Sequence, residues 1–234
     1  MPKIKAAGVY LLAVLFLVSF SVAVWADDTS KDEETFGNAA TVLQSMLDAN
    51  SVPTNLLAKA DCVIILPSVK KGAFIVGGTG GRGPMICRGS KNFIGRWATP
   101  AMFSIGGASI GMQVGGTARD FVLLVMSSRA VDKVLDGKTK LGSDMAVAAG
   151  PGATSTGAVG GADILSYGRA SGLFAGMSLS GASLSPDDDA NMRLYGSAIS
   201  ARDIVLGGKV KATAGGRGLA SMLNTKVPKH SAGK

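Results

Sequence analysis

Hydrophobic positions recur along this chain in two rhythms. Over residues 36–49 the apolar side chains Phe36, Ala39, Ala40, Leu43, Met46 and Leu47 stand three and four apart, which predicts an amphipathic helix that breaks at Pro53. Thr54 is placed to cap a short second helix over 55–60, and the run 63–66 reads as a buried strand ended by Pro67. The second rhythm is tighter and full of glycine. Apolar runs at 73–76 and 85–88 read as two strands on either side of a glycine loop, 77–83. The stretch 96–126 organises the rest: small and bulky apolar residues alternate, Gly recurs at 106, 107, 111, 115 and 116, and an apolar run closes it at 121–126. It predicts three further strands, turning near Gly106-Gly107 and Gly115-Gly116.

Beyond it, residues 128–135 read as a helix with Ser127 or Ser128 as cap and Asp136-Gly137 as stop. A strand is expected over 144–149 before the turn Gly150-Pro151-Gly152, and a second glycine-punctuated sheet segment over 162–184. Asp187, Asp188 and Asp189 then open a helix reaching about Ile199, with the acids at its positive end. Glycine within strands permits bulges, bends and close backbone approach. The expected fold is therefore α+β: one domain with a strongly curved, glycine-rich, mainly antiparallel sheet, barrel-like or sandwich, flanked by short helices.

The ends of the chain change the picture. Lys3 and Lys5, an apolar run over 6–24 and Val24-Trp25-Ala26 before Asp27-Asp28 have the form of a secretory signal peptide, 1–26; the alternative is an uncleaved membrane anchor. No cysteine lies near the junction for lipidation. A flexible acidic lead-in (27–35), a domain (36–206) and a basic C-terminal segment (207–234), partly helical or disordered, would follow. The formal charge is +8, and losing Lys3 and Lys5 leaves the chain basic. A basic exported protein, periplasmic or secreted, meets anionic headgroups or envelope polymers rather than nucleic acid, for which no motif is present. Cys62 and Cys87 either pair in that compartment or Cys62 is simply a small buried residue of its apolar run.

Two motifs invite catalytic readings that their surroundings oppose. Residues 107–111 fit G-x-S-x-G, and Asp203 and His230 follow Ser109 in triad order, but a nucleophile elbow needs a helix where 112–117 reads as strand. Residues 78–83 fit G-x-G-x-x-G, but strand, not helix, follows, so no nucleotide cofactor is expected. One histidine and two distant cysteines supply no metal site. The better use of the loop is anionic: Gly78, Gly80 and Gly81 can form a nest of backbone N–H groups, and Arg82 adds a planar donor set for a phosphate diester. Lys70 and Lys71 precede it; Arg88, Lys91 and Arg96 follow. These nine residues form the candidate headgroup site, against a tight hairpin flanked by ordinary surface charge.

Taken in order, ADCVIILP (60–67), GGTGGRG (77–83), WATPA (97–101), GGASIGMQVG (106–115), AAGP (148–151), GLFAG (172–176) and NMRLYG (191–196) resemble the SYLF domain. The resemblance spans about 36 to 225. It implies a single α+β domain that binds phospholipids without catalysis or cofactor; for eukaryotic members it implies phosphoinositide binding, and for fungal ones actin binding. No catalytic residue is carried over. The expected function is therefore a phospholipid or membrane-surface module of the cell envelope, its basic residues meeting anionic headgroups. The alternative is a structural or assembly protein with an envelope protein as partner.

Overall fold

The run CVIIL at 62–66 lies at the middle of the fold, and all five side chains are fully buried. Alternation sends Cys62, Ile64 and Leu66 to one face of a sheet and Val63 and Ile65 to the other. Both faces must therefore be covered, which the helices do. The computed structural model describes residues 28–73, 76–110, 115–137, 139–141, 147–149, 162–169, 179 and 181–227. The expected signal peptide, the turn at 150–152, His230 and most of 170–180 lie outside them.

The strands are β1 (Cys62–Ala73), β2 (Val76–Cys87), β3 (Ala101–Ile110), β4 (Gly115–Val125), β5 (Thr139–Lys140), β6 (Val147–Ala149), β7 (Ile164–Arg169) and β8 (Ser183–Pro186). They form one sheet in the order β5-β8-β3-β2-β1-β4-β7-β6. Seven are joined antiparallel and curl into a half-barrel, and β6 joins β7 in parallel. The helices are α1 (28–48), α2 (Thr54–Leu57), α3 (Ser128–Leu135), α4 (Asp188–Tyr195), α5 (Ala201–Val205) and α6 (Ala214–Lys226). Side chains of α1, α2 and α6 pack with Val63, Ile65, Ile86 and Leu124 on one face; α3 and α5 pack with Ile64, Met85, Phe103 and Leu123 on the other. Among the described residues no helix is long and apolar enough to cross a membrane.

Several elements differ from expectation. The lead-in is helical from residue 28, because Asp32 and Glu33 bond to distant groups across the fold. Pro53, not Thr54, occupies the N-cap of α2. Pro67 does not end β1: the strand carries one extra residue there relative to both neighbours, Leu66 facing Phe121 but Val69 facing Arg119. Proline lacks a donor for the ladder and is tolerated in a central strand at such a bulge. Ser68 takes φ 52°, and its N–H donates to Asp120 Oδ1 at 3.0 Å.

The glycine loop 77–83 is strand throughout, part of β2, and Gly106-Gly107 lie within β3 opposite Gly80 and Thr79. The described residues of the stretch 96–126 thus form two long strands, where three were expected. The helix expected to reach Ile199 stops at Tyr195, where Gly196 takes a left-handed φ of 71°, and α5 follows. The basic C-terminal segment is helical over α6, with Leu219 and Leu223 fully buried. Its glycines admit close neighbours: a Cβ on Gly215 would lie 2.7 Å from Glu33 Oε2. Cys62 and Cys87, opposite one another in β1 and β2, form a disulfide.

Candidate functional site

The fold separates the nine candidate residues into two groups at opposite ends of β2. Lys70, Gly80, Gly81 and Arg82 line one groove of about 650 Å³, with Thr35, Asn38 and Thr41 of α1 on its other wall and Asp120 at its side. Gly78 lies two residues further along β2 and is exposed, and a Cβ on either Gly78 or Gly80 would meet nothing within 4 Å. The missing side chains leave a bare sheet face beyond the edge of α1. Lys71 is in β1 opposite Thr79; its side chain lies outside the described residues.

The anion nest does not form. Gly78, Gly80 and Gly81 are extended and registered between β1 and β3, so successive N–H groups turn alternately toward two neighbouring strands instead of converging. Arg82 is committed elsewhere as well. Its Nη2 donates to Asp32 at 2.7 Å and its Nε to Asp187 at 2.7 Å, while Arg193 Nε donates to Asp32 at 2.8 Å. Asp32 is fully buried, and its hydrogen bond holds the Arg193 guanidinium above its ordinary pKa. Asp187 also caps α4 by accepting from Ala190 N. This network fastens α1 and α4 to β2, which assigns Asp187 to a structural contact.

The second group lies on the connection from β2 to β3. Arg88 is buried and stacks on Trp97, its guanidinium carbon 4.2 Å from the ring centroid. Burial lowers its pKa, and Asp61 opposes that shift. Buried in this stack, its side chain is not presented at the surface. Lys91 and Arg96 are exposed, and neither has a carboxylate partner among the described residues. Between them stands Ile94, 49% exposed, a residue that hydrophobic patterning passes over. One signal for this half was legible and unused: from Cys62 to Arg119 the sequence contains no Asp or Glu.

The catalytic motifs gain no support from their surroundings. Residues 107–110 continue β3 opposite residues 79–76 of β2, with no turn into a helix at Ser109. Asp203 lies in α5, its carboxylate 2.9 Å from Lys209 Nζ and its N–H bonded to Ser200 Oγ. Two asparagines, the buried Asn191 and the half-buried Asn224, have bracing roles instead. Asn191 exchanges hydrogen bonds with the backbone of Met102, and Asn224 does the same with Trp97.

Residues 106–226 match the protein family described as "Ysc84: Las17-binding protein actin regulator". The chain belongs to this family, the SYLF family. Among similar SYLF proteins, an SH3 domain-containing protein of Schizosaccharomyces pombe is 34% identical over 183 residues, covering 75% of this chain and 41% of that one. Protein YSC84 of Saccharomyces cerevisiae is 31% identical over 189 residues, covering 74% and 39%. The human SH3 domain-containing YSC84-like protein 1 is 34% identical over 161 residues, covering 67% and 46%. This SYLF chain therefore spans less than half the length of each of these relatives. The match 106–226 includes α6.

Proposed function

We propose that this SYLF chain is a non-enzymatic, peripheral phospholipid-binding module of the cell envelope, exported by its N-terminal segment, that binds anionic membrane surfaces. The observation that carries the reading is the surface of the acid-free half: Lys70, Lys91 and Arg96 are exposed and have no carboxylate partner among the described residues. Cations already paired would give up one partner to gain another. A cation without such a partner gains interaction with an anionic surface at a smaller cost. Each basic residue near such a surface contributes about 1 kcal/mol, and the attraction decays over about 8 Å at physiological salt.

Cosedimentation of the full chain with phosphatidylglycerol-containing vesicles and with purely zwitterionic ones tests it. Binding is expected to the anionic vesicles, to fall as salt rises, and to drop about tenfold or more when Lys70, Lys91 and Arg96 are all changed to Glu. Equal binding to both vesicle types, or none, removes this function.

A protein-partner reading has its own support in the family description, which names Las17 binding for relatives. For this chain it becomes assembly with an envelope protein. Among the described residues the outer strands β5 and β6 have two and three residues, a short ladder for strand addition. Crosslinking at low concentration that yields only monomer would count against self-assembly.

A further inference from the structure

We propose that the β2–β3 connection, residues 88–97, is a rigid membrane-insertion loop: Ile94 enters the acyl boundary of an anionic bilayer while Lys91 and Arg96 meet its phosphates. The inference rests on the membrane reading and decides which end of the molecule faces the bilayer.

The loop is braced at its base and along its length. Arg88 and Trp97 stack beneath it and pair as an isolated bridge. Gly89 N donates to Arg96 O at 2.8 Å, Gly95 N to Gly89 O at 2.9 Å, and Ile94 N to Ser90 Oγ at 3.3 Å. A Cβ on Gly95 would lie 2.5 Å from Gly89 O, so the two limbs close only over glycine.

Two non-glycine residues hold left-handed backbone, Ser90 at φ 78° and Phe93 at φ 54°. An aromatic residue rarely adopts this conformation, and it persists only where the surroundings enforce it. Its result is specific. Phe93 turns inward to join the core at 7% exposure, and its neighbour Ile94 turns outward at 49%, more than any other large exposed hydrophobic residue described. A loop built only to connect two strands would gain by burying both.

The neighbours of Ile94 identify the occupant. Lys91 and Arg96 are exposed with no carboxylate partner among the described residues, and no acid occurs between Asp61 and Asp120. An apolar tip between unpaired cations matches the headgroup and acyl layers of an anionic bilayer. The groove at Gly80 lies eight residues back along β2, about 26 Å away at the usual rise of a strand. With the loop inserted, the groove and Lys70 on its wall stand clear of the lipid, so the headgroup contacts fall to Lys91 and Arg96.

The test places one fluorophore at each end. Cys62 and Cys87 are joined, so a cysteine introduced at either position is the only free thiol. Full-length Ile94→Cys and Gly80→Cys are labelled with an environment-sensitive dye and mixed with phosphatidylglycerol-containing vesicles. Expected is a severalfold rise in emission at 94, quenched by lipids carrying a nitroxide near the glycerol level, with little change at 80. Unlabelled Ile94→Ser should bind about tenfold more weakly at an unchanged urea midpoint, and Ile94→Leu should bind normally. A chain that cosediments while the dye at 94 stays in water, or while only the dye at 80 responds, overturns the insertion loop and leaves membrane binding standing. Failure to cosediment at all removes both. A response at 94 to a protein fraction but not to vesicles makes the loop a protein interface and overturns the proposal.

Discussion

Strands β1 and β2 behave as different materials at their two ends. Near the Cys62–Cys87 bridge they carry Val63, Ile64, Ile65, Met85 and Ile86, fully buried between helices on both faces. Past the bulge at Pro67-Ser68 the same strands carry Lys70, Gly78 and Gly80, exposed, with α1 reaching only the edge of the groove. Antiparallel pairing continues at both ends, offset by one residue at the bulge, so the ladder alone does not distinguish them. Side-chain volume does. A sheet can project beyond its helical layers when the projecting part has little apolar surface to hide, which is what glycine provides. Ile94, the most exposed large apolar side chain among the described residues, stands at the opposite, well-packed end, where a braced loop can hold it out.

Four experiments probe this contrast. The largest effect is expected at the junction: a Cβ on Gly83 would lie 1.9 Å from Ile65 O and 3.0 Å from Pro67 Cδ. Gly83→Ala should cost at least about 4 kcal/mol in urea unfolding, or abolish soluble protein, because backbone must move to admit a methyl group. A stable Gly83→Ala protein would mean the bulge is not the rigid divide described. Next, Asp32→Ala strands Arg82 and Arg193 without their shared carboxylate and should cost about 3 kcal/mol.

Cys62→Ala with Cys87→Ala releases a crosslink spanning 25 residues at the packed end and should likewise cost about 3 kcal/mol, read as a shift in urea midpoint. The smallest effect belongs to the far end. Gly80→Ala should change stability by less than about 0.5 kcal/mol, since the new methyl meets nothing, and a large loss there would erase the distinction between the ends.

A pH series adds a check on the packed side. Burial and the nearby Glu33 charge hold the Tyr195 phenol above its ordinary pKa, and its hydroxyl donates to Pro100 O. The folded chain keeps this proton where the unfolded chain loses it. Its contribution is complete below about pH 10 and is lost as pH rises beyond that toward the folded value. Tyr195→Phe should flatten that alkaline fall; an equally steep fall would assign it to other groups, such as Tyr167, which burial also raises.

The helices were readable wherever one face is apolar and the ends carry caps. Ser127 accepts from Ala130 N at the start of α3, and Asp187 from Ala190 N at the start of α4, each with a glycine beyond the helix's last turn. The acid-led helix and the family resemblance were likewise present in the residues. Strand lengths were not. Glycine has no side chain to show a period of two, so 77–83 and 106–107 read as turns although both lie in paired strands. The α6 segment, with Gly215, Gly216 and Gly218 in its first turns, read as a tail because isolated helix preference is poor, whereas contacts to Glu33, Pro100 and Trp97 hold it.

The α+β class, the basic character and the positions of the cations are set along the chain, since these follow from local periodicity and composition. What each cation does follows from its neighbours in the folded chain. Arg82 met two carboxylates from α1 and the start of α4, Arg88 met Trp97, and Lys70, Lys91 and Arg96 met no carboxylate among the described residues. The reason is physical: a charge's role depends on which opposite charges and apolar surfaces lie within a few ångströms. Those neighbours, such as Asp32 for Arg82 and Asp187 for the same guanidinium, come from positions 50 and 105 residues away.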